Sequence, residues 1–202
     1  MSTVEPPSIP LEMEVIVRPR LVYRQLSAHS PRSSSRWLYV RQPLFVAMIL
    51  GAGVSLLVAS RLSVELLISL TLCWSFVPLA EIAGLLIVST RSHHIPLSQR
   101  VDLFCLSHAP WLIWIAIIGA LGAFLPLLSI FKSLKAWTLM SGAVALIWSL
   151  WIDFYYFRVI EETNVREAIG KLIVQRIVSW SLIIAVFSYG SFWPSMLEVF
   201  GH

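Results

Sequence analysis

The chain has 202 residues, of which 57% are hydrophobic and 13% charged, with a formal net charge of +4. An average soluble domain is about 45–50% apolar and about 25% charged. The low charge content argues against a soluble globule, a disordered chain and a nucleic-acid-binding domain, and points to an all-α, polytopic integral membrane protein.

Positions 1–14 carry Pro6, Pro7, Pro10 and three acids and read as a flexible tail. They do not read as a cleaved signal, because the first apolar run begins only at Leu44. In residues 15–43, Val17, Leu21 and Tyr23 alternate with Arg18, Arg20 and Arg24, and Pro19 and Pro31 bracket a short helix. This pattern predicts a cytoplasmic segment lying in the membrane interface. Its basic patch of Arg18, Arg20, Arg24, Arg36 and Arg41 would face anionic lipid head groups.

Five apolar runs follow, at about 44–60, 64–89, 110–131, 136–157 and 173–193. They are continuously apolar rather than alternating, so they must satisfy their backbone hydrogen bonds as helices and not as a barrel. The links between spans one and two, and between three and four, are short enough to make two helical hairpins. Residues 90–109 predict a second surface helix that starts after Pro96. Residues 158–172 predict a helical extension of span four or five into the cytoplasm, with Glu162 and Arg166 as its best i,i+4 pair. Residues 194–202 form a short tail on the other side.

Orientation follows from the basic residues. With the N-terminus inside, the cytoplasmic segments hold Arg18, Arg20, Arg24, Arg32, Arg36, Arg41, Arg91, Arg100, Arg158, Arg166, Lys171 and Arg176. Only Arg61, Lys132 and Lys135 of the 15 basic residues fall opposite. That bias predicts an N-in, C-out orientation, and the membrane expected is a bacterial inner membrane.

Ionisable groups within spans are costly and turn towards the bundle interior. Glu65 lies four residues after Arg61, which predicts a local pair. Glu81, Asp153 and Arg176 fall at a similar depth near the cytoplasmic side, with Arg176 placed in the first turn of span five. They predict an intramembrane polar cluster between spans two, four and five, with Gln175, Tyr155 and Tyr156 as candidate donors. Pro78 is placed to kink span two beside Glu81. In span one, Ala47, Gly51, Ser55 and Ala59 form a ladder of small residues, a face on which helix backbones approach closely.

Nothing in the sequence has catalytic spacing, and no catalytic residue, cofactor or metal site is expected. Cys73 and Cys105 read as free thiols. His93, His94 and His108 lack the spacing of a metal site, and His108 is placed only at the edge of a span.

The stretches VRPRLVYRQL (Val17–Leu26), WLYVRQPLFVAMILGAG (Trp37–Gly53) and LFCLSHAPW (Leu103–Trp111), set before and among five closely spaced spans, resemble the Yip1-type membrane-protein family. The resemblance implies a membrane adaptor with no catalytic residues. The function expected from the sequence is a non-enzymatic membrane subunit or scaffold, with lipids and other membrane-protein subunits as partners. The alternative is a transporter or channel component that uses the acidic cluster for proton or substrate passage.

Overall fold

A computed structural model describes residues 11–28, 38–59, 63–89, 95–124 and 134–189. Its helices in chain order are α1 (Leu11–Val17), α2 (Pro19–Ala28), α3 (Leu38–Ala59), α4 (Val64–Trp74), α5 (Phe76–Val88), α6 (Leu97–Cys105), α7 (Ala109–Phe124), α8 (Leu134–Val159) and α9 (Val165–Tyr189). A 3-10 turn at Leu106–His108 joins α6 to α7. Four stretches are long and apolar enough to cross a bilayer: Val64–Val88, Leu97–Leu121, Met140–Val159 and Val165–Ser188. Gln42–Leu56 in α3 is a shorter apolar stretch. The protein is therefore an all-α, polytopic membrane bundle. Among the described residues, the five expected spans become four long ones and a shorter companion.

Local chemistry explains where the helices begin and break. The Ser63 hydroxyl caps α4 by accepting from the Leu66 N–H at 3.2 Å, and Glu65 in the first turn complements the helix dipole. The pair expected between Glu65 and Arg61 lies outside the described residues. Pro78 has no N–H to continue the ladder from α4, so the helix breaks at Ser75 and restarts as α5. At the break the Ser75 hydroxyl and N–H both donate to the Leu72 carbonyl, at 2.7 and 3.3 Å.

Between α8 and α9, Glu162 adopts a left-handed backbone with φ 53°. Thr163 donates its hydroxyl to the Phe157 carbonyl at 2.8 Å, and Arg158 donates to the Thr163 carbonyl at 2.8 Å, which closes the turn. Asn164 then caps α9 through the Glu167 N–H at 2.9 Å. Glu162 thus stands outside both helices, and its spacing to Arg166 is not the helical i,i+4 relation expected.

Three expectations are corrected. Residues 97–108 do not form a surface helix: Ser98, Gln99, Arg100, Val101, Leu103, Phe104 and Cys105 are all buried. Inside the protein Gln99 donates to the Leu26 carbonyl at 3.3 Å and Arg100 pairs with Glu161. His108 accordingly lies in the middle of the Leu97–Leu121 stretch and not at a span's edge. The fifth span starts at Val165, which puts Arg176 well beyond the first turn, about 16 Å along α9 at ~1.5 Å per residue.

The segment before α3 also differs in role. α1 begins at Leu11, within the stretch read as a tail, and α1 and α2 close over one end of the bundle. Val15, Val22 and Tyr23 are fully buried there. They join Leu85, Phe104, Ile152, Tyr156, Phe157 and Ile160 in the larger of two cores. Tyr23 donates to the Leu103 carbonyl at 3.3 Å, and Trp148 donates to the Ile16 carbonyl at 2.9 Å. Burial, reinforced by the charge of Asp153, pushes the Tyr23 hydroxyl well above its ordinary pKa. A smaller core of Val46, Leu50, Leu112 and Ile115 lies between α3 and α7.

The small residues of α3 pack inside the chain. Ala47, Gly51 and Ser55 are buried, while the side chain of Ala59 lies outside the described residues. A Cβ on Gly51 would sit 2.7 Å from the Thr71 backbone nitrogen of α4. A Cβ on Gly119 of α7 would sit 3.0 Å from the Gly53 carbonyl oxygen. α3 is thus held backbone-to-backbone against both neighbours. The outer faces remain apolar: Val64, Ile68, Leu72, Ile87, Ile147, Ile177 and Ile184 are exposed, and only 11% of the α9 span is buried. Such faces suit lipid as solvent.

Gly51→Ala should lower the unfolding free energy in detergent by about 1–3 kcal/mol, because the α3 and α4 backbones must separate. Gly170 on α9 has nothing within 4 Å of its added Cβ. Gly170→Ala should therefore stabilise the protein by roughly 0.5–1 kcal/mol through helix propensity. Thermal melts of the two variants should shift in opposite directions.

Candidate functional site

The deepest charges of the bundle meet where α5, α8 and α9 pack. Arg176 on α9 donates through one terminal nitrogen to Glu81 of α5 at 2.7 Å. Through the other it pairs with Asp153 of α8. The structure therefore brings Glu81, Asp153 and Arg176 together, 95 and 23 residues apart in sequence from the arginine.

Close helix approach makes this geometry possible. Gly84 stands one turn from Glu81 on α5, and a Cβ there would lie 2.9 Å from the Gln175 carbonyl and collide with the Ser179 hydroxyl. Because that space is empty, Gln175 and Ser179 reach α5. Gln175 donates to the Glu81 carboxylate and to the Ser179 oxygen, the latter at 3.0 Å. Ser179 donates to the Ala80 carbonyl at 3.2 Å. Residues 175, 176 and 179 therefore present one polar face of α9 to 80, 81 and 84 of α5. Of the candidate donors, Gln175 joins the cluster. Tyr155 packs against Trp151 and Phe154 instead, and Tyr156 against Tyr23, Phe104 and Phe157.

The charge balance of the site is uneven. Two carboxylates share one guanidinium, so with both acids ionised the cluster carries one net negative charge. Asp153 is fully buried, and among the described residues neither its Oδ1 nor the Gln175 Oε1 has a hydrogen-bond partner. The site thus holds acceptors that a proton or a small cation would satisfy.

A second ionic group was not legible in the sequence. Glu161, in the turn before α9, pairs with Arg100 of α6 and lies 3.6 Å from Lys171 of α9. It also accepts from the Ser89 hydroxyl at 2.8 Å. Lys171 lies 3.6 Å from Glu167 as well. This group locks the end of α5, the start of α6 and the α8–α9 turn together. The only signal in the sequence was indirect: Gln99 and Arg100 are polar residues within an apolar helical repeat.

The remaining anticipated residues are dispersed. Arg18, Arg20 and Arg24 are exposed around the start of α2, whereas Arg36 and the side chain of Arg41 lie outside the described residues. Cys73 and Cys105 are free thiols. Among the described residues, no three or more His, Cys, Asp and Glu side chains are grouped to hold a metal ion. His93 and His94 lie outside them. No family model matches the chain, and comparison with curated proteins and with solved structures returns no match.

Removing one partner of a buried ion pair leaves an uncompensated charge, at a cost of about 3–5 kcal/mol, whereas replacing the whole group by neutral residues is far milder. Arg176→Met should therefore destabilise the protein in detergent more than the triple change Arg176→Met, Glu81→Gln, Asp153→Asn does. Denaturation monitored by tryptophan fluorescence or circular dichroism measures both.

Proposed function

We propose that this protein is a non-enzymatic component of a membrane transport system, and that the Glu81–Asp153–Arg176 cluster takes up and releases a proton as part of its cycle. The observation that carries this reading is the sharing of one guanidinium by two buried carboxylates. In a medium that solvates ions poorly, the unmatched negative charge calls for a proton or a counter-cation. The three groups sit on three different helices, so a change in their charge state alters the attraction between α5, α8 and α9. The break at Ser75, just before Pro78, supplies a point at which α5 can re-orient relative to α4.

Arg18, Arg20, Arg24, Arg32, Arg36, Arg41 and Arg91, which lie outside the four long spans, outnumber Arg61, Lys132 and Lys135 and support an N-in orientation. A second reading, a scaffold that organises a partner membrane complex, draws on the layout resembling the Yip1-type family. It also draws on both terminal nitrogens of Arg176 being occupied, which pins three helices.

Proteoliposomes under a pH gradient, with an internal pH dye, separate the readings. In the transport reading the wild-type protein dissipates the gradient. Glu81→Gln or Asp153→Asn lowers that rate by at least about tenfold, equivalent to ~1.4 kcal/mol of lost barrier reduction. Unchanged flux in both variants, together with a stoichiometric partner on mild-detergent purification, would favour the scaffold.

A further inference from the structure

We propose that the groove between α2 and α8 is a binding site for one anionic phospholipid. Arg18, Arg20 and Arg24 would hold its phosphate, and its acyl chains would lie along Trp151 and Tyr155. The groove is a cavity of about 460 Å³ lined by these five residues together with Leu21 and neighbours on α2. That volume lies in the range of small-ligand sites and suits a head group with its glycerol. Trp151, which lines it, is 57% exposed.

Three features favour a lipid as occupant. First, the arginines are uncompensated. Arg100 and Arg176 each pair with a carboxylate and Arg158 donates to a backbone carbonyl, whereas Arg18, Arg20 and Arg24 form no ion pair among the described residues. Arg20 and Arg24 are one helical turn apart and so share a face of α2. Arg18 immediately precedes that helix, whose amino end adds a partial positive charge.

Second, the aromatic wall runs along a span. Tyr155 lies about 6 Å from the end of α8 at Val159, at ~1.5 Å per residue, and Trp151 lies one turn deeper in the Met140–Val159 stretch. Acyl chains laid along the two rings follow the apolar length of α8. Trp151 and Tyr155 are packed on each other with ring centroids 5.6 Å apart.

Third, the groove is built rather than incidental. Trp148 donates to the Ile16 carbonyl at 2.9 Å, and Tyr23 meets Tyr156 edge-on at 5.9 Å, so the α1–α2 elbow is pinned to α8 on both sides of Arg18. The arginine backbones are therefore held in place before any ligand arrives. The site is independent of the Glu81–Asp153–Arg176 cluster and of the transport reading.

Native mass spectrometry of the detergent-purified protein tests the proposal, with phosphatidylglycerol, phosphatidylcholine and inorganic phosphate as probes. The wild-type protein should retain one phosphatidylglycerol at lipid levels where phosphatidylcholine is lost. Arg18→Gln with Arg24→Gln should weaken phosphatidylglycerol binding by about fivefold for each arginine removed. Trp151→Ala should weaken both lipids. Arg166→Gln removes an exposed charge away from the groove and should leave the preference unchanged. Equal retention of the two lipids by the wild-type protein overturns the proposal even if no variant folds. So does an equal loss with Arg166→Gln, which would indicate diffuse surface charge, or displacement of the lipid by millimolar inorganic phosphate, which would indicate a site for the free anion.

Discussion

The arrangement of this bundle depends on how one guanidinium is shared between two carboxylates where water is scarce. A charged side chain at the centre of a membrane span costs about 2.5–3.5 kcal/mol on insertion scales. Apolar contact between helices gains little in lipid, because lipid tails are as apolar as leucine. Helix α9 illustrates the consequence. Most of its surface faces outward, so apolar packing contributes little to its position. Gln175, Arg176 and Ser179 tie it to α5 and α8, with Gly84 clearing the space for them, and Phe187 adds an aromatic contact with Phe76 of α5.

The second ionic group does the same work nearer the end of the bundle. Glu161 draws Arg100, Lys171 and Ser89 towards the α8–α9 turn. α1 and α2 then close over that end through Val15, Val22 and Tyr23. The more apolar contact of α3 with α4 and α7 follows a different rule, in which glycine lets backbones touch and close packing replaces polar pairing. The molecule thus uses two kinds of helix contact: charge and hydrogen bonding on the α5–α8–α9 side, and small-residue packing on the α3–α4–α7 side.

These contacts bear differently on function. A packing interface of glycines has one favourable arrangement and no charge state to change. An ionic cluster with two acids and one base has at least two charge states, and each weights the helix contacts differently. This distinction makes the polar side the better candidate for a working site, and it separates that site from the surface where α2 meets α8.

Some of this was legible in the chain alone. Long apolar runs that must satisfy their own hydrogen bonds are restricted to helices, so the fold class follows from composition. Counting residues along those runs put Glu81, Asp153 and Arg176 near one side of the membrane, although it set Arg176 too close to the start of its helix, and the break near Pro78 follows from a missing N–H. Tertiary structure decided the rest. Whether residues 97–108 lie on the surface or in the core depends on Glu161 and Leu26, remote acceptors that no local pattern reveals. The burial of Tyr23 depends on a carbonyl 80 residues away. Periodicity and length act within a segment, and so the sequence determined the helical class and the apolar runs that carry it. The pairing of charges acts between segments, and only the packed chain could decide which acid meets which base.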